Sequence, residues 1–188
     1  MLISWRLEIT TCPLIFQVKI AMTDVVSPAV RSKMMSGIGG KNTKPEMLVR
    51  KALFRRGFRY RLHDKRYPGR PDIVLPRYKA FILVHGCFWH GHGCHLFKWP
   101  STRPEFWTEK ITRNRERDAE QLAKHLANGF RVLTIWECAL KGRPEPEQEQ
   151  VFDMIVDWVK SGAKNSSIAA DPTHLGIALK SDSEHYKR

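Results

Sequence analysis

Three cysteines and a knot of histidines are the residues best suited to chemistry. Cys87, His92 and Cys94 fall within one short glycine-rich stretch, and Cys138 follows an apolar run that ends at Trp136. Three thiolates and one imidazole match a closed tetrahedral Zn2+ site. Soft sulfur donors favour zinc there over magnesium or calcium. Four protein ligands leave no open position, so such a zinc is structural and ties the loop to the strand before Cys138. His85, His90 and His95 crowd the same loop, and spacing alone leaves the choice of histidine open. Cys12 is left over.

A second chemistry is carried by oxygen. From Lys41 to Lys79 the only acids are Glu46, Asp64 and Asp72, in a stretch rich in Arg and Lys. Asp72 follows a Pro-Gly-Arg-Pro turn and opens a short apolar strand, and the next strand ends at Val84, beside His85. Two adjacent strands can bring the Asp72 carboxylate and the Val84 backbone carbonyl to one point. A hard cation such as Mg2+ takes oxygen ligands of this kind and keeps several waters. It would polarise a scissile phosphate and stabilise the leaving oxygen. His90 can accept a proton from an attacking water near neutral pH, and His85 can stabilise phosphate charge or assist proton transfer. Each residue has an ordinary alternative: Asp72 as a turn former after Pro-Gly, Glu46 as half of a helix capping box. Taken together in a basic domain, they favour a nuclease.

The elements that must position these residues follow from periodicity. Thr43 caps a helix with Pro45 in its first turn and Glu46 reaching back; Leu48, Val49, Ala52, Leu53 and Phe54 supply its buried face, and Gly57 ends it. Phe58–Leu62 alternates as a strand, Tyr67–Pro71 is a turn, and Asp72–Leu75 and Tyr78–Val84 are strands. A His-, Cys- and Gly-rich loop runs from His85 to about Trp99. Thr102-Arg103-Pro104-Glu105 repeats the capping pattern and opens a long helix, closed by Asn128-Gly129. Phe130–Trp136 is a buried strand, and a Pro- and Glu-rich linker leads to an amphipathic helix from Glu147 to about Lys160. The residues from Ser161 read as loosely ordered. This order predicts an α/β fold with helices flanking a mixed central sheet.

The 188 residues suffice for one ordinary domain, and 42% hydrophobic content predicts that most of it folds. A formal net charge of +13 suits a polyanionic partner, because each Lys or Arg on a phosphate releases counterions. No apolar run spans a bilayer, and the first 21 residues lack the pattern of a secretory signal. The expected organisation is an extension over 1–21 with Met22 as the native start, a basic arm over 22–42, an endonuclease domain over 43–161 and a tail over 162–188. The expected compartment is the cytoplasm.

Four strings, in order, resemble one known family. They are Pro68-Gly69-Arg70-Pro71-Asp72; His85-Gly86-Cys87-Phe88-Trp89-His90; Phe106-Trp107 with Glu109, Lys110, Ile111, Asn114, Arg117 and Asp118; and Val132-Leu133 with Trp136-Glu137-Cys138. From about Ser32 to Gly142 the chain is similar to the very short patch repair (Vsr) mismatch endonucleases. The resemblance implies a restriction-endonuclease-like fold and Mg2+-dependent nicking 5′ of the thymine in T:G mismatches, which arise when 5-methylcytosine deaminates. It implies Asp72 and the Val84 carbonyl as magnesium ligands, His90 and His85 as catalytic histidines and Glu46 as an essential acid. It makes His92 the histidine of the zinc set. Phe88, Trp89 and Trp107 correspond to aromatics that wedge into the duplex. Lys110 and Asn114 correspond to residues near the mismatched bases, and Met35 to one entering from the minor groove. Double-stranded DNA bearing a T:G mismatch is the implied substrate, the chain is expected to act as a monomer, and mismatch-repair proteins are candidate partners. Insertion of such side chains costs a few kcal/mol of unstacking per step, which a mismatch lowers. One departure is Val84, where some members carry Thr.

Overall fold

The computed structural model describes residues 39–171 and 176–181, together with residues 27, 29, 30 and 33. In the basic arm, Val30 N–H donates to Ser27 Oγ at 3.4 Å, the mark of a helix start. Met35 and residues 1–21 lie outside the described residues.

Helix α1 spans Lys44–Arg55, and Thr43 Oγ1 accepts the Glu46 N–H as the capping pattern predicts. The Glu46 carboxylate turns elsewhere, toward Arg50 and His63. Val49, Ala52 and Leu53 form the buried face, whereas Leu48 and Phe54, expected inside, are 37% and 58% exposed. At 100° per residue a helix with one covered face cannot bury five of seven consecutive positions. The strand expected over Phe58–Leu62 shortens to β1, Arg61–Leu62, because Phe58 N–H still bonds back to Leu53 O beyond the helix end.

Strands β2 (Ile73–Leu75) and β3 (Ala80–His85) follow, then α2 (Pro104–Ala127), β4 (Arg131–Trp136), α3 (Glu145–Ser161), β5 (Ser166–Ala170) and β6 (Ile177–Ser181). The six strands of the described residues form one sheet in chain order. The β1/β2, β2/β3 and β5/β6 pairs are antiparallel, while β3/β4 and β4/β5 are parallel. The sheet is mixed, as expected, and fits a restriction-endonuclease-like core.

Alternation along the strands sends side chains to two layers. Ile73, Leu75, Ile82, Leu133, Ile135 and Ile168 meet α1 and α3 on one face, with Val151, Phe152, Ile155 and Trp158 from α3. Val74, Phe81 and Val132 pack on the other, with Leu122 of α2 and with Tyr67 and Phe130. Arg131 joins sheet to helix, its guanidinium donating to Ala163 O at 2.8 Å and Val159 O at 3.1 Å at the end of α3. There it satisfies carbonyls that the helix leaves open.

Two further expectations are corrected. Thr102 does not cap α2. Arg103 occupies the cap position with φ 53 and no side-chain cap bond, while its guanidinium lies over Phe106 at 4.6 Å. The region from Ser161 is not all loose: β5 is buried along its whole length and β6 pairs with it, so the sheet runs past the expected domain limit at 161. Apart from Ile168, the residues of Ser166–Ala170 are small and have little intrinsic strand preference. Position between two strands decides their conformation.

Candidate active site and metal centres

The tight turn before β2 aims Asp72. Gly69 has φ +68, a conformation glycine adopts without strain, and a Cβ there would stand 2.1 Å from Gln121 Oε1 of α2 and push that side chain aside. Tyr67 anchors the turn by edge contacts to Phe81 and Phe130. Asp72 then reaches across to β3, where its Oδ2 accepts the Val84 N–H at 2.8 Å. Burial raises the Asp72 pKa from 3.8 to about 6, the Val84 N–H opposing this and the nearby Glu46 charge adding to it. Glu46 is 2% exposed, and its Oε1 lies 3.1 Å from His63 Nε2. His63 Nδ1 is 3.8 Å from Asp72 Oδ1. One oxygen or nitrogen from each of Glu46, His63 and Asp72 falls within 4.8 Å of the others. The third acid of this stretch, Asp64, is used locally, bonded to Arg66 at 2.5 Å.

Beyond Val84 the chain enters the loop. His85 is buried and its ring stacks on that of His90, centroids 3.9 Å apart and 5° from parallel. Burial, with the His90 charge adding, lowers the His85 pKa to about 3, so His85 is neutral at physiological pH. It can offer a hydrogen bond but no positive charge to a phosphate. His90 Nδ1 makes a short hydrogen bond to Asp118 Oδ2 on α2. A carboxylate on Nδ1 favours the tautomer in which Nε2 carries the free lone pair, the form a proton acceptor requires.

Helix α2 is the strut for this loop. Ile111, Asn114, Asp118, Leu122 and His125 recur at three- and four-residue steps, so they share one face. Asn114 Nδ2 donates to Trp89 O at 2.8 Å. Gly91, with φ +61, lets Ile111 approach so closely that a Cβ would sit 2.7 Å from its Cγ2.

On the far side of the loop, Cys87, His92, Cys94 and Cys138 each offer a ligand atom, all within 4.8 Å of one another. A tetrahedral zinc with bonds of about 2.3 Å needs ligand separations of about 3.8 Å. Cys138 Sγ is 3.6 Å from His92 Nδ1 and accepts the Ala170 N–H of β5 at 3.4 Å. His92 stacks on Trp136, centroids 4.1 Å apart. The hydrogen bond between Cys87 and Cys138 pulls the Cys138 thiol well below the usual thiol range and pushes that of Cys87 upward. This donor set fits zinc.

The aromatic residues of the loop and of the start of α2 gather into one group. Phe88 lies 5.1 Å from Trp107 and 5.3 Å from Trp89, ring to ring. The group continues through Phe97 to Trp99, and through Trp107 to Phe106. Trp99 and Phe106 are 57% and 41% exposed. Lys110 is exposed on the adjoining turn of α2.

Comparison with known proteins decides the family. Over 154 residues the chain is 41% identical to the DNA mismatch endonuclease Vsr of Escherichia coli K12, covering 82% of this chain and 99% of that one. The chain belongs to the Vsr family. The family profile described as DNA mismatch endonuclease Vsr matches residues 23–96. A type II nicking enzyme of Neisseria meningitidis serogroup A is 51% identical over 122 residues, 65% of this chain and 87% of its own. Another from Xanthomonas oryzae pv. oryzae is 47% identical over 134 residues, 70% and 98% respectively.

Set against the residues expected from Vsr resemblance, the fold brings Asp72, Val84, His85, His90 and Glu46 into one neighbourhood and the four zinc candidates into another. Asn114, expected near the mismatched bases, has its amide engaged by the loop carbonyl. Two members of the site were not assigned a role from sequence. Asp118 was visible only as an acid in the Vsr-like string; its three- and four-residue spacing from Asn114 and Ile111 was the available signal. His63 had none, since it stands alone between a strand and a turn.

Proposed function

We propose that this Vsr family member is a Mg2+-dependent endonuclease that nicks one strand of duplex DNA 5′ of the thymine in T:G mismatches left by 5-methylcytosine deamination. The observation that carries the reading is the continuous relay from Asp72 through the Val84 backbone and the stacked His85 and His90 rings to Asp118. It lines up a carboxylate suited to a hard cation and an imidazole with its proton-accepting nitrogen free.

Asp72 and the Val84 carbonyl, with Glu46 close by, would hold Mg2+. When bound, it supplies a positive charge that polarises the scissile phosphate and stabilises the departing oxygen. His90 takes the proton of the attacking water on Nε2, and Asp118 stabilises the resulting imidazolium. Neutral His85 supports the His90 ring by stacking. Zinc held by Cys87, His92, Cys94 and Cys138 would be structural, joining the loop to β4 and, through the Ala170 N–H, to β5. Phe88, Trp89 and Trp107 enter the duplex at the mismatch, where stacking is weakest, and Lys110 neutralises the adjoining backbone. Met35 of the basic arm is assigned the minor-groove side. The domain comprises residues from 43 through β6, and acts as a monomer in the cytoplasm beside mismatch-repair proteins. Among the described residues no helix is long and apolar enough to cross a membrane.

The test compares strand nicking of a T:G duplex and its fully paired counterpart with Mg2+ present, with Asp72→Ala as control. Equal cutting of both duplexes rejects mismatch specificity. Undiminished cutting by the variant rejects the site.

A further inference from the structure

Glu46, His63 and Asp72 come from three different elements and converge in a basic domain. Glu46 is on α1, His63 follows β1 and Asp72 precedes β2. His63 is held there by a backbone that favours other residues: its φ is 45°, in the left-handed region. Its N–H bonds to Asp72 O at 3.4 Å, which fixes the ring next to the Asp72 carboxylate. The ring itself is underused. Nε2 is fully buried 3.1 Å from Glu46 Oε1, yet makes no hydrogen bond of acceptable direction, and Nδ1 stands 3.8 Å from Asp72 Oδ1. Leaving a buried polar atom without a directed hydrogen bond is unfavourable. An imidazole that turns one nitrogen to each of two carboxylates, with no directed hydrogen bond at Nε2, is an arrangement that a cation shared with those carboxylates would complete.

We propose that His63 is a ligand in the catalytic cation site, so that Glu46, His63 and Asp72 together form a mixed nitrogen–oxygen set that binds Mn2+ more tightly than Mg2+. The proposal rests on the reading of Asp72 as a cation-binding carboxylate and adds the nitrogen donor. Mg2+ prefers oxygen ligands and octahedral geometry. An imidazole donor shifts preference toward the first-row divalent ions, of which Mn2+ binds such sites most weakly and is visible by electron paramagnetic resonance. The Val84 side chain offers no hydroxyl to this neighbourhood, so a donor from the turn after β1 enlarges a set that β3 supplies only through its backbone.

The experiment uses the full-length, zinc-loaded protein without DNA. Mn2+ is titrated in, and pulsed electron paramagnetic resonance reads nitrogen coupling to the bound ion. The expected result is one directly coupled imidazole nitrogen in the wild type, retained in His90→Gln and lost in His63→Gln, with Mn2+ affinity at least about tenfold weaker in the last. Asn is comfortable at positive φ, so His63→Asn repeats the measurement with the turn preserved. Equal melting temperatures for wild type and variants establish that the fold survives. Bound Mn2+ without nitrogen coupling, coupling that persists in both His63 variants, or no Mn2+ binding at millimolar concentration each overturns the assignment. Failure of the underlying reading looks different: Asp72→Asn then binds Mn2+ and nicks DNA like the wild type.

Discussion

The two clusters on either side of the 85–97 loop solve opposite problems. The thiol–imidazole cluster is closed: four side chains face inward, Cys87 and Cys138 are fully buried, and a β5 N–H already supports the Cys138 sulfur. The carboxylate–imidazole cluster is held under strain: Asp72 is partly buried, its side chain 22% exposed, at the cost of a raised pKa, and His85 is buried in neutral form. On the proposed reading, the closed, soft donor set would stabilise the fold by holding zinc, whereas the hard donors, largely withdrawn from water, would gain from a cation and a phosphate. One loop serves both, so the rigidity of the first sets the precision of the second.

The sharpest way to break this contrast is Asp72→Ala. We expect nicking of a T:G duplex to fall by about 10³-fold or more, in line with loss of a main catalytic group, while one equivalent of zinc stays bound by elemental analysis. Loss of zinc together with activity would mean the clusters are not separable. Cys138→Ser should act in the reverse order, losing zinc and fold first. A destabilisation of about 3–5 kcal/mol, as for other structural losses, corresponds to a melting temperature lower by about 10 °C. A variant that melts like the wild type would show that no structural zinc is held there.

Asp118→Asn tests the His90 tautomer. The amide keeps the shape but removes the charge that stabilises an imidazolium, so kcat should fall about 10²-fold with KM little changed. A KM effect alone would make Asp118 a loop-positioning residue.

The smallest expected effect concerns pH. The Asp72 pKa is raised from 3.8 to about 6 on folding, so the folded state binds its proton more tightly than the unfolded one. The stabilisation from this group is complete below pH 3.8 and is lost as pH rises through 6, a change of at most about 3 kcal/mol. Asp72→Asn should therefore raise the melting temperature at pH 7 without added divalent ions, and the gain should vanish near pH 4. A gain independent of pH would locate its cause elsewhere than in the buried charge.

Much of this site was legible in the chain. Cys87, Cys94 and Cys138 announce their chemistry by type, and His85 to His90 lie so close in sequence that no fold could part them far. Asp72 stands out because its neighbours carry so few acids. Thr43 and Pro45 mark the start of α1 through local bonding alone. Residue type and short-range spacing therefore marked out the candidate metal ligands, the nuclease character and the helix–strand alternation, because each depends on interactions within a few residues. Tertiary structure decided what depends on distant neighbours. It turned Glu46 from a cap toward His63, set Asp118 against His90 across 28 residues, and made a strand of the mostly small residues Ser166–Ala170 by placing them between β4 and β6. The physical reason is the same in each case. A side chain's partner, its burial and hence its charge state are properties of the space it occupies, and that space is built from elements far apart along the chain.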